Sequence, residues 1–213
     1  MGKIQSQIII ITAALLAVSC SRQTMSVEEL RVEHMENPAV VDATHPRLSW
    51  INVPKSQKAR GIKQTAYRIV VASSMENLKQ GVYDLWDSGK QLSEESDLIS
   101  YQGKTLPSAQ DRYWKVQTWD QDGKPTAWSK PSYWGMGIMN ENEWQAQWIA
   151  PLLGGPGAPL LRKHFDSEGQ IKQAKVFVCG LGYFELYVNG ERIGDDYLVP
   201  NMTDYTKRFD LEK

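Results

Sequence analysis

The chain has 213 residues, enough for one large domain or two small ones. Its 24 Lys and Arg against 25 Asp and Glu are interspersed and sum to a net charge of −1, which argues against a nucleic-acid partner and against an electrostatic hold on a membrane. Eight Trp and nine Tyr against four Phe, with 16 Gly and 10 Pro, point to short strands and turns carrying amphipathic aromatics, as extracellular β-modules and sugar binders do.

Met1-Gly2-Lys3 supplies a positive start, and Ile8 to Val18 an apolar run closing on small residues, the pattern of a secretory signal over residues 1–19. The run falls short of the ~20 residues that a membrane-spanning helix needs. Ala17-Val18-Ser19-Cys20 resembles the lipobox of bacterial lipoproteins, in which the cysteine is lipidated and becomes the first mature residue; an ordinary signal cleaved elsewhere is the competing reading. Lipidation at Cys20 implies an exported protein anchored to a membrane, periplasmic or at the cell surface, and the lack of an acidic run after Cys20 favours the periplasm. Residues 20–29 then read as a polar tether. Cys179 is the one other cysteine, so no internal disulfide is expected; following Val176-Phe177-Val178, it reads as a small buried hydrophobe.

Strands are predicted at Leu30–Val32 and Arg47–Ile51, separated by the Asn37-Pro38 and His45-Pro46 turns. A basic, glycine-containing loop over Lys55–Lys63 leads into a well-buried strand at Tyr67–Ser74, marked by Ile69-Val70-Val71. One helical turn at Met75–Gln80 and short strands at Leu85–Lys90 and Ile99–Gln102 follow. The strongest strand is Arg112–Trp119, with Trp114, Val116 and Thr118 on one face and Tyr113, Lys115, Gln117 and Trp119 on the other. Asp120-Gln121-Asp122-Gly123 reads as a hairpin turn into Trp128–Gly135. Short strands at this spacing predict a seven-strand β-sandwich of about 100 residues. The run from Leu106-Pro107 through Trp128-Ser129 resembles the second half of a fibronectin type III domain, with Arg112 standing where such domains carry a corner tyrosine.

A boundary is expected near residue 140, giving a sandwich over 30–139 and a second β-module over 140–213, with Trp144 and Trp148 straddling the boundary before Pro151 and the linker-like Gly154-Gly155-Pro156-Gly157. Leu160–Phe165 and Lys175–Val178 are predicted to open that module, and Gly180-Leu181-Gly182 reads as a tight bend. The hairpin is clearer: an alternating strand ends at Asn189-Gly190, the pair that a type I′ turn needs, and Glu191–Gly194 returns. Beyond it lie Asp195, Asp196, Asn201 and Asp204 in a polar loop. Two readings are open there, a site for a calcium ion or sugar hydroxyls, and a plain solvated loop. His34, His45 and His164 have no ligand-like spacing, and Glu94-Glu95 reads as solvated acids. About 70 residues are too few for the eight strands of a jelly roll, so the second module reads as incomplete.

In this order and spacing, LRVEHMENPAVVDATHPRLSW, RGIKQTAYRIVVASS, LWDSGK, RYWKVQTWDQDGKPTAWS, WQAQWIA, LLRKHF and GLGYFELYVNGERIGDDYLVPNMTDYTKR resemble the N-terminal part of bacterial α-L-rhamnosidases, glycoside hydrolase family 78. The resemblance implies an all-β chain, a fibronectin type III-like sandwich followed by the start of a jelly-roll domain of galactose-binding-like type that in some members binds rhamnose. It implies a parent that hydrolyses terminal α-L-rhamnose with inversion in an (α/α)₆ barrel further along. The catalytic carboxylates belong to that barrel, so the chain alone is expected to be inactive and to lack catalytic residues and cofactors other than the possible calcium. After the proline of the last motif this chain has Asn201-Met202-Thr203 where the family commonly has Gly-Trp-Thr, which removes a platform for a sugar ring. The alternative is a non-catalytic carbohydrate-binding or interaction lipoprotein.

Overall fold

The computed structural model describes residues 24–56, 58–151 and 157–200. Seven antiparallel strands form a sandwich: β1 (Met25–Val32), β2 (Arg47–Pro54), β3 (Ala66–Ala72), β4 (Trp86–Asp87), β5 (Ile99–Ser100), β6 (Asp111–Trp119) and β7 (Ser132–Gly135), with helix α1 (Met75–Gln80) after β3. One sheet has the order β1-β2-β5 and the other β4-β3-β6-β7. Between them Trp50, Ile69, Val71, Trp114, Val116 and Trp134 build one core. Each large side chain removed from water there contributes roughly 1.5–3 kcal/mol. The seven-strand sandwich read from the sequence is the fold observed.

β6 buries every second residue, Arg112, Trp114, Val116 and Thr118, as its period-two pattern predicts. β3 is buried on both faces instead. Ile69 and Val71 enter the main core while Val70 and Ala72 pack beneath Leu78 of α1, which explains its unbroken apolar run. The helix is short but capped at both ends: Ser74 Oγ accepts from Asn77 N, and Gly81 takes φ 79°.

β1 starts at Met25, so the second half of the stretch read as a tether is a strand. Its inward residues are Met25 and Val27, then Leu30 and Val32, a change from odd to even positions. A bulge between Glu28 and Arg31, with Glu29 at φ 48°, makes the change and hides the alternation from sequence inspection.

At the start of β6 the missing tyrosine corner is replaced. Arg112 is 1% exposed, and its guanidinium donates to Asp111 O (2.7 Å), Gln110 Oε1 (3.1 Å) and Pro107 O (3.4 Å), bracing the loop before the strand. Burial lowers its pKa. Tyr101, also buried, donates its hydroxyl to Lys104 O at 2.8 Å, and burial pushes its pKa up to about 12.

Several predicted strands are shorter. β4 covers only Trp86–Asp87 because the Ser88 side chain takes over at Ile69 N, and β7 starts at Ser132, after Pro131. After a 3₁₀ turn at Glu141–Glu143, the predicted strands Leu160–Phe165 and Lys175–Val178 have no regular ladder; among the described residues nothing pairs with them, and a strand needs a neighbour. Cys179 in this stretch is partly exposed, not buried; among the described residues no second layer covers it. The hairpin is present as β8 (Leu186–Val188) and β9 (Glu191–Ile193), with Asn189 at φ 53° and Gly190 at φ 87° as the type I′ turn requires.

Candidate functional site

The loop after β9 carries the predicted acids. Asp195 and Asp196 are exposed neighbours, while Asn201 and Asp204 lie outside the described residues, as does Cys20. Arg192 organises the backbone here: its Nη2 donates to Asp196 O, its guanidinium lies 4.9 Å from the centre of the Tyr197 ring, and its Nε is 3.6 Å from Glu185 Oε1. Among the described residues no three His, Cys, Asp or Glu side chains converge as metal ligands would. The Asp120–Gly123 turn spends its carboxylate on its own backbone. Asp120 Oδ1 accepts from Asp122 N at 3.0 Å and Lys124 N at 2.9 Å, and Oδ2 from Thr24 Oγ1 at 2.8 Å. Glu94 is exposed and paired with Lys63.

Sequence reading missed a cluster on the outward face of the four-stranded sheet. Arg68 on β3 and Lys115 on β6 both reach the rings of Tyr83 and Trp128. Arg68 lies 6.0 and 5.8 Å from the two ring centres, and Lys115 Nζ 5.5 and 5.0 Å. The rings lie 6.3 Å apart. Arg68 also makes a bidentate pair with Asp87, holding that carboxyl below its ordinary pKa against the opposing effect of burial. Both rings thus carry the chain's own cations, so the cluster fastens α1's loop and the 128 loop onto the sheet. The period-two pattern of β6 had already put Lys115 and Tyr113 on this face; the Tyr83 and Trp128 loops gave no such signal.

A second site was equally invisible in sequence. Asp111, the first residue of β6, accepts from Gln173 Nε2 at 2.7 Å and from Lys175 Nζ, partners more than 60 positions away. Burial raises the Asp111 carboxyl, and the bonds from Lys175 and Gln173 more than offset it, leaving the group below its ordinary value. Ser73, Gln110, Tyr113 and Phe177 line an open groove of about 580 Å³ around this contact.

Comparison with known proteins finds two family models along the chain. A family model described as a Rha78A-like N-terminal immunoglobulin domain matches residues 27–140, and one described as an α-L-rhamnosidase N-terminal domain matches residues 169–213. An α-L-rhamnosidase of Formosa agariphila is 31% identical over 226 residues, which takes in 92% of this chain and 23% of that protein. One from Streptomyces avermitilis is 43% identical over 128 residues, 59% of this chain and 12% of that protein. Among solved structures, the α-L-rhamnosidase of Dictyoglumus thermophilum aligns with a TM-score of 0.75 at 38% identity, covering 84% of this chain and 22% of its own. The S. avermitilis enzyme complexed with L-rhamnose aligns with a TM-score of 0.55 at 40% identity, covering 59% and 12%. This chain spans no more than 23% of the length of any of these relatives. The sandwich, the hairpin behind it and both family matches agree, and the chain belongs to the α-L-rhamnosidases of glycoside hydrolase family 78, as their N-terminal domains.

Proposed function

We propose that this chain is the accessory front region of an exported, lipid-anchored α-L-rhamnosidase, and that hydrolysis is carried out by residues beyond Lys213. The observation that carries the rhamnosidase part of the reading is the pair of family matches, in their proper order, over a chain that spans 23% of its F. agariphila relative, while the anchor rests on the Ala17-Val18-Ser19-Cys20 pattern alone. The substrate class is a glycan or glycoside with terminal α-L-rhamnose, in keeping with the L-rhamnose bound to the S. avermitilis relative. Inversion needs one carboxylic acid to protonate the leaving oxygen and a carboxylate to activate water, with ~6.5–9.5 Å between them. The sandwich's role is to pack and position. Cys20 carries the lipid, and Asp195 and Asp196, with Asn201 and Asp204, are the residues through which the second module would touch sugar or calcium.

The test reads the coding DNA past Lys213 and assays the full product on an aryl α-L-rhamnoside beside this chain, following the anomer of the released sugar by proton NMR. Cleavage by the full product alone, with the β-anomer appearing first, supports the reading; a stop codon after Lys213 would sink it. Loss of fatty-acid labelling in Cys20→Ser tests the anchor. Trp148 and its neighbour Ile149, 66% and 73% exposed beyond the sandwich, favour a second reading as a non-catalytic carbohydrate-binding or interaction lipoprotein. In that case Trp148→Ala weakens retention on rhamnose-bearing polysaccharide whether or not an enzyme follows.

A further inference from the structure

We propose that the rim of the sandwich at Asp111 is a docking surface for residues 173–177, and that this contact holds the module behind it in one orientation. Three independent observations converge there. Gln173, Lys175 and Phe177 all line the groove at the start of β6, while Ala174 and Val176 between them do not. Alternate side chains turned to one surface are what an extended strip laid across the sandwich produces. Both oxygens of Asp111 are engaged by the strip, Oδ2 by Gln173 and Oδ1 by Lys175, and the Asp111 side chain is only 13% exposed. The strip supplies a charge-assisted bond to each oxygen, and moving it away would forfeit both in exchange for water. Gly135, opposite Asp111 in the β6–β7 register, clears the space: a Cβ there would stand 2.0 Å from Ala39 O and 3.1 Å from Lys175 Nζ.

The platform under the contact is rigid. Arg112 Nη1 holds the Asp111 carbonyl, and Gly135 is tied on its other side to Pro38 O and Val41 N. Modules joined by a linker reorient freely unless an interface prevents it. Here the residue that prevents it is Asp111, and its occupant is the 173–177 strip of the same chain.

The experiment places spin labels on keto-bearing unnatural residues at Glu94 in the sandwich and Glu191 in the hairpin of the full-length product, and measures the distance distribution between them. The wild type should give one narrow distribution. Asp111→Asn and Lys175→Met should each widen it roughly twofold, as expected when a docked module is released. Asp111→Glu, which keeps the carboxylate, should stay narrow. Lys175 lies outside the sandwich, so its substitution separates lost docking from a sandwich that fails to fold. A broad wild-type distribution, or a Lys175→Met distribution as narrow as wild type, overturns the proposal. The readout is geometric, and its failure would leave the proposed rhamnosidase role standing.

Discussion

Arg68 and Asp87 face each other across the β3–β4 edge in a two-point pair, Nε to Oδ1 at 2.9 Å and Nη2 to Oδ2 at 2.5 Å. Both side chains are about one-third exposed, so solvent screens the pair and it contributes about 0.5–1 kcal/mol. Asp87 is held below its ordinary pKa, first by Arg68. A depressed carboxyl adds stability above its unfolded pKa and loses it as pH falls through the folded one. Urea denaturation of wild type and Arg68→Gln should therefore differ at neutral pH and converge as acid protonates Asp87. A gap that persists at the acid end would show that cation–ring contacts, not the ion pair, carry the effect.

Gln64, itself buried, sits at the centre of a partly buried polar network. Its Oε1 accepts from Trp50 Nε1 at 3.0 Å and Asn52 Nδ2 at 2.9 Å, and its Nε2 donates to Ser93 O at 3.1 Å and Glu95 O at 2.6 Å. Gln64→Leu keeps the approximate shape and leaves donors and carbonyls orphaned. It should cost about 2–4 kcal/mol, since each buried unsatisfied group costs about 1–3. Denaturation followed by Trp fluorescence checks this; a loss below half a unit of that scale would mean water replaces the amide.

Arg112→Ala should destabilise the sandwich by about 3 kcal/mol, combining a cavity in place of a long buried side chain with unbonded carbonyls at Asp111 and Pro107. Arg112→Lys should recover part of the loss, because an ammonium can reach one carbonyl but cannot fork to three acceptors. Equal midpoints for the Ala and Lys variants would refute the bracing role.

Gly135→Ala should cost about 1–3 kcal/mol, the range for overpacking. The methyl would meet the Ala39 carbonyl, a backbone atom that cannot swing aside. A thermal midpoint within experimental error of wild type would show that the 38–41 segment yields.

Much of the sandwich was legible because its signals are local. The alternation of β6, the doubled apolar run of β3 and the Asn189-Gly190 turn each depend on neighbouring residues, and each element formed, though the strand alternating from Tyr183 to Asn189 is cut to Leu186–Val188 and β3 ends at Ala72. β1 was half-hidden because the bulge at Glu29 reverses which positions face inward, so MSVEE read as a polar tether. Leu160–Phe165 has a strand's composition but no pairing partner among the described residues, and composition cannot supply one. The candidate sites were the least legible part. Lys115 meeting Trp128 depends on how a loop folds back, and Asp111 meeting Lys175 on how two modules pack, and neither leaves a spacing to read.

β1 begins at Met25, which brings the residue before it onto the sandwich. Thr24 is already fixed to the body, its hydroxyl on Asp120 Oδ2 and its carbonyl accepting from Lys55 N. Only four Cα steps separate it from Cys20, a reach of about 14 Å fully extended. Under the proposed lipidation so short a leash would keep the end bearing Asp120 and Lys55 at the lipid headgroups, and everything after β7, which ends beside Asp111 at the far end of β6, would be built outward from a floor set by the bilayer.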